Sequence, residues 1–177
     1  MFMMSEMLKK DKIFDAFVKI DKEGKSKSIE LEDLQQHVST IVLSSKIPEE
    51  VKGVFNGAKD LYLFGYFRYY FFTISNHYAL LSLESALRNR YNQLFEKPEK
   101  FLFLNEIIRK LSDKGIIKKE DRFIYDISRE LRNSFSHLTS PPVIVPAMAL
   151  STLGKVKESI EKLYLYSRTP NLLIYGY

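Results

Sequence analysis

The chain of 177 residues contains no cysteine and only seven glycines. Without a thiol there can be no disulfide, thiolate zinc site, iron–sulfur cluster or cysteine nucleophile, and a reducing cytoplasm is the expected setting. Also missing are a glycine-rich phosphate loop, a His-Glu-x-x-His zinc motif and a serine-nucleophile elbow, so metal-dependent and covalent hydrolysis are disfavoured and no cofactor is expected. The first ten residues meet Glu6, Lys9 and Lys10 too early to form the apolar region of a signal peptide. Long uncharged runs are rare as well. The one that invites a membrane test lies between Asp60 and Glu84, where Arg68 is the single formally charged residue. Its length would span a bilayer. Gly65, Arg68, Asn76 and His77 interrupt it, however, and tyrosine and phenylalanine crowd its middle, whereas membrane proteins keep aromatic belts at the interfaces. The segment therefore reads as buried core or dimer interface, with no membrane contact.

Apolar residues make up 45% and charged residues 28% of the chain, the balance of a folded globular protein. The length suits one domain with its own core. A net charge of +5 favours encounter with a polyanion such as RNA, although dispersed lysines also serve solubility. Lys9, Lys10, Lys25, Lys27, Lys118 and Lys119 fit that second description.

Apolar residues recur at helical spacing in nearly every segment, which predicts an all-α fold. A first helix is expected over Glu6 to Ile20, followed by an exposed connection at Asp21 to Ser26. A second should begin near Ser28, with Leu31, Leu34, Val38, Ile41 and Val42 on its apolar side. Pro48, Glu49 and Glu50 suit the first turn of a third. The stretch from Ala58 to Phe95 is one long helix or two with a break near Thr73 to Asn76; in its second half Leu80, Leu83, Leu87, Tyr91 and Leu94 form a stripe, and Glu84 stands one turn from Arg88. After Pro98, a shorter helix closes at Gly115, another runs from Lys119 to Ser136 until Pro141 and Pro142 forbid continuation, and a last one spans Pro146 to Tyr166. On size and pattern, residues 1–55 are accessory helices and 56–177 the main helical domain, together forming one unit.

Arg132-Asn133-Ser134-Phe135-Ser136-His137 gathers a permanent cation, a carboxamide and an imidazole just before a helix must stop. An arginine binds phosphate through two donors and a histidine exchanges a proton near neutral pH. RNA carries its own nucleophile, the ribose 2′-OH, so these groups suffice in principle to cleave it without a metal. Read structurally, Arg132 and His137 instead cap a helix C-terminus, where cations meet exposed carbonyls. His77, amid aromatics and without a spaced ligand set, reads as a core or interface residue; His37 reads as a surface residue. Glu84 and Arg88 read as an intrahelical pair, with the lining of an RNA cleft as the alternative.

The hexad resembles the Arg-x4-6-His motif of HEPN-domain ribonucleases. Arg132, Asn133 and His137 match it, residues Phe123 to Leu131 resemble the helix leading into it, and Tyr78 to Asn92 resembles its long upstream partner. The likeness covers roughly Ala58 to Tyr166. It implies an antiparallel helical bundle with an additional N-terminal helical segment, and a homodimer whose two motifs share one cleft. It further implies RNA cleavage to 2′,3′-cyclic phosphate and 5′-OH ends, with Arg132, His137 and Asn133 catalytic and Arg129, Arg88 and Ser136 contacting RNA. Defence or toxin biology, with an antitoxin or effector partner, fits the resemblance. Thr139 stands where one toxin branch has tyrosine, so regulation through that tyrosine is not expected. Catalytically inactive HEPN-like modules that bind nucleotide, nucleic acid or protein form the alternative.

Overall fold

A computed structural model describes residues 8–96, 101–136 and 143–166. The described chain is mostly helical: α1 (Leu31–Ser39), α2 (Glu49–Phe64), α3 (Phe71–Leu94), α4 (Leu104–Asp113), α5 (Arg122–Ser136) and α6 (Pro146–Glu161), the last continuing as a π-helical turn over Lys162–Tyr166. Among the described residues no helix is long and apolar enough to cross a membrane.

Local signals set several boundaries. Pro48 caps α2 and Glu49 and Glu50 face the positive end of its dipole. Gly115, at φ +74°, follows α4, where a side chain would be strained. Pro146 opens α6 in the first turn, where its missing N–H costs no hydrogen bond. The second helix starts later than expected: Ser28 ends a strand, and Glu30 caps α1 while its own N–H donates to the Asp33 carboxylate at 2.9 Å.

Over its described residues, 8–20, the expected first helix is not formed. A short 3-10 turn, Lys12–Ala16, is followed by a two-stranded antiparallel hairpin, β1 (Val18–Ile20) and β2 (Ser26–Ser28), in the register Val18↔Ser28, Lys19↔Lys27, Ile20↔Ser26. Asp21 is the cause: its carboxylate accepts the N–H groups of Glu23 and Lys25, both at 2.9 Å, and Lys27 Nζ approaches it at 3.0 Å. That side chain offers the backbone an alternative to the helix, and Gly24 at φ +78° completes the turn. Val18 and Ile20, which fit a helical apolar stripe by spacing, are exposed. Phe14 alone of the segment is fully buried, with its ring 5.4 Å from that of Tyr66 and 5.7 Å from that of Phe72.

Helix α3 lies at the centre, packed on α2, α4, α5 and α6, and its contact with α2 is the most extensive. Its interruption falls at residues 65–70, upstream of Thr73 to Asn76. Two features make it. Gly65 sits against the Phe72 ring, where a Cβ would lie only 2.5 Å from a ring carbon. Asp11 then binds the turn from both sides, its N–H donating to Tyr66 O at 2.9 Å and its carboxylate accepting from the Tyr69 N–H at 2.8 Å. Ser75, by contrast, is tolerated inside the helix because its hydroxyl crosses to Ala58 O at 2.8 Å. The buried apolar side chains form one cluster from Phe14 to Leu163, to which residues on both sides of position 55 contribute.

Candidate functional site

The strongly amphipathic α5 turns Tyr125, Ser128, Arg129, Arg132 and Phe135 toward the bundle at helical spacing. Tyr125 is buried and its hydroxyl donates to Ser159 O of α6 at 2.9 Å, which fixes the rotation of α5. Burial pushes that hydroxyl's pKa well above the ordinary tyrosine value, so it remains a donor.

Two turns beyond Tyr125, Arg132 crosses to α3, where its Nη2 lies 2.7 Å from Glu84 Oε2. The other oxygen of the same carboxylate, Oε1, accepts from both Nε and Nη2 of Arg88 at 2.9 Å. Arg88 Nη1 also donates to Leu102 O at 3.2 Å, tying the cluster to the segment before α4. One carboxylate is thus held between two guanidiniums, an arrangement with one positive charge in excess. The carboxylate side chain is 17% exposed, that of Arg132 22% and that of Arg88 42%. The cluster is therefore partly desolvated, with Arg88 as its wet end. An open groove of about 410 Å³ borders it, lined by Glu84, Arg88, Leu81, Ser85, Asn89 and Asn92 among others.

The remaining sequence-derived candidates divide. Arg129, one turn before Asn133, sits on the same inward face as Arg132; its Nη2 lies 3.3 Å from Glu130. The Nε atoms of Arg129 and Arg132 are both buried with no hydrogen-bond partner among the described residues. Asn133 is half-buried, about 100° around the helix from Arg132. Ser136 is exposed and its hydroxyl donates back to Arg132 O at 3.1 Å, while that of Ser134 donates to Leu131 O at 2.8 Å. His137, with Thr139, Pro141 and Pro142, lies outside the described residues.

Two residues gain significance from the fold. Glu84 makes the expected intrahelical pair with Arg88, but it is also the partner of the motif arginine. A carboxylate one turn along the polar edge of the Leu80–Leu94 stripe is the signal in the sequence. His77 stands two turns before Glu84 on the same face of α3. Its ring centroid lies 6.1 Å from that of Phe135, and its Nδ1 is buried with no hydrogen-bond partner among the described residues. Burial, and secondarily the charge of Arg132, hold this imidazole below the usual histidine pKa. No sequence spacing connects it to Arg132. His37, the expected surface residue, is exposed, with its Nδ1 3.3 Å from the Tyr62 hydroxyl.

A separate cavity of about 420 Å³ lies at the other end of α5, between Ile116, Ile117, Tyr125 and the start of the π turn. Of its two lysines, Lys162 is bound to Asp121 at 2.6 Å; three carboxylates, Asp121, Glu158 and Glu161, outnumber Lys162 and Lys118 around it, and no histidine lines it. The Arg132–Glu84–Arg88 cluster is the better candidate for anion chemistry. Comparison of the chain with family models, with curated proteins and with solved structures finds no match.

Proposed function

We propose that this protein is a HEPN-type endoribonuclease that cleaves RNA without a metal by attack of a ribose 2′-OH on the adjacent phosphorus, leaving 2′,3′-cyclic phosphate and 5′-OH ends. The observation that carries the proposal is the pairing of a half-buried motif arginine with a second arginine beside an open groove. Arg132 is held in a low-dielectric junction where a guanidinium stabilises developing phosphoryl charge more strongly than in water. Arg88, wetter and one turn away from the shared carboxylate, provides a second contact for the RNA backbone, and Arg129 a third. An incoming phosphate binds the guanidinium donors that Glu84 leaves free, while Glu84 keeps the catalytic cation oriented before substrate arrives. His137 acts in proton transfer, and Asn133 orients the phosphate or the imidazole.

A homodimer with a composite site belongs to the same proposal. Ile124, Ile127 and Leu131 project from α5, and Met148 from α6, all more than a third exposed, which gives the motif helix an apolar face that a second copy would cover. A defence or toxin setting, with an antitoxin or effector partner, follows from the resemblance alone.

A second reading is favoured by the ion pair itself. Because Glu84 already satisfies Arg132, the same residues would also serve a catalytically silent helical module that binds nucleic acid, nucleotide or protein.

Purified protein incubated with several single-stranded RNAs in EDTA separates the two, alongside Arg132→Ala and His137→Ala. The ribonuclease reading expects cleavage with cyclic-phosphate ends, reduced at least about 100-fold in each variant. Intact RNA in every sample would leave the binding module standing. Circular dichroism of each variant shows whether a loss of cleavage is a loss of fold.

A further inference from the structure

The segment that enters α4 alternates between water and core. Phe101 is 95% exposed, Leu102 8%, Phe103 76% and Leu104 7%. The alternation is that of extended chain, the conformation of Phe103 at φ −66° and ψ 149°. Leu102 and Leu104 anchor the segment, and both phenylalanines are turned into solvent. Two hydrogen bonds fix it there: the Phe103 N–H donates to Glu106 Oε2 at 3.1 Å, and Leu102 O accepts from Arg88 Nη1 at 3.2 Å.

Neither ring belongs to the core or to the partly buried residues packed against it. One exposed apolar side chain is ordinary, whereas two of them on a fixed backbone beside a charge cluster form a surface. The position relative to that cluster is defined. Leu104 shares a small crevice with Glu84, Arg129 and Arg132 on one side of the Glu84–Arg88 stripe, and the open groove lies on the other side, along Leu81, Ser85 and Asn89. Arg88, the wettest member of the cluster, therefore stands between the groove and the segment that carries the phenylalanines.

We propose that Phe101 and Phe103 form a stacking platform for the bases of a single-stranded RNA whose backbone is held by Arg88. The inference rests on the reading of the Arg132–Glu84–Arg88 cluster as a phosphate site, which the ribonuclease and the nucleic-acid-binding module share. Every base has a π face, so such stacking tolerates any sequence, and the neighbouring guanidinium supplies the backbone contact. A duplex keeps its bases stacked on one another, so the platform selects unpaired strand. The cation also favours this occupant over an apolar protein surface, which on docking would take the Arg88 charge out of water without a new partner.

Fluorescence anisotropy with a labelled 2′-O-methyl oligoadenosine, which lacks the free 2′-OH and so cannot be cut, tests the platform. The proteins are wild type, Phe101→Ala, Phe103→Ala, Phe103→Tyr, Phe103→Leu and Arg88→Gln, and the comparison strand has the same length and no bases. The oligoadenosine should bind each alanine variant about 10-fold or more weakly, the tyrosine variant like wild type and the leucine variant like alanine. The baseless strand should bind wild type and the phenylalanine variants alike. Arg88→Gln should weaken both strands and lower the salt dependence by about one counterion. Unchanged binding of the oligoadenosine by both alanine variants would overturn the platform. An equal loss on both strands would mark the rings as structural, and restoration by leucine would mark a protein-docking surface; each overturns it, as does wild-type protein that binds neither strand. Cleavage of ordinary RNA, assayed alongside, separates this proposal from the one above. Cleavage without base-dependent binding removes the platform and leaves the ribonuclease, whereas base-dependent binding without cleavage removes the ribonuclease and leaves the platform on a binding module.

Discussion

Glu84→Gln is the most informative single change, because the two arginines it binds respond differently. Exposed ion pairs contribute about 0–1 kcal/mol, whereas removing one member of a buried pair costs about 3–5 kcal/mol by stranding the other charge. With Glu84 17% exposed, Arg132 22% and Arg88 42%, the cluster lies between these limits. The substitution keeps the shape and one acceptor oxygen, loses the charge, and leaves two guanidiniums facing each other. We expect a loss of about 2 kcal/mol, which for a domain of this size lowers Tm by about 4–8 °C. Urea unfolding at constant m measures it. Double-mutant cycles with Arg132→Gln and Arg88→Gln apportion it, and the coupling to Arg132 should be the larger, since that pair is shorter and drier. A change under about 0.5 kcal/mol, the scale of an ordinary surface substitution, would refute the view that the cluster is desolvated. Equal couplings would refute the ordering.

Three further predictions follow from the packing and the charges. Gly65→Ala places a Cβ within 2.5–2.7 Å of the fully buried Phe72 ring and should destabilise by about 1–3 kcal/mol in the same unfolding experiment. Tyr125→Phe removes the buried hydrogen bond to Ser159 O and should cost about 0.5–1.5 kcal/mol, a smaller loss than Tyr125→Ala, which also opens a cavity. The folded-state pKa of His77 lies below its unfolded value of 6.5, so the folded chain binds fewer protons between the two values. This contribution to stability is present above pH 6.5 and is lost as pH falls through the folded-state pKa. Histidine NMR titration should show the His77 value rising in Arg132→Ala, and His77→Asn should flatten the stability slope just below neutrality.

Boundaries governed by one residue's own backbone chemistry were readable in advance. Pro48, Gly115 and Pro146 each act on the turn in which they sit, and α2, α4 and α6 begin or end there. The misread elements depend on partners that a local pattern does not contain. Val18 and Ile20 satisfy a helical period, but the Asp21 carboxylate claims the following amides and turns the chain into a hairpin. The break between α2 and α3 falls where Asp11 reaches it from far along the sequence, and Ser75 and Asn76, polar enough to suggest a break, are buried within the helix. The site divides in the same way. Arg132 and the Glu84–Arg88 pair are visible in the chain as residue types at given spacings. Their union, and the approach of His77, exist only because α3 and α5 cross at that level.

The bridge from Asp11 to the turn before α3 also links the kinetics of two regions. Exchange of the Tyr69 amide with solvent requires release of the Asp11 carboxylate, and Phe14, three residues further along the same turn, packs against Tyr69 and Phe72 at the start of α3. The N-terminal turn and the first turn of α3 should therefore open as one cooperative unit. A proteolytic cut in the hairpin would be sensed first as faster exchange at Tyr69, far away in the sequence. A truncation chosen at residue 55 from motif coverage alone would remove Phe14, Leu34, Val38 and Val51 from the shared core and leave the central helix without its entry clamp.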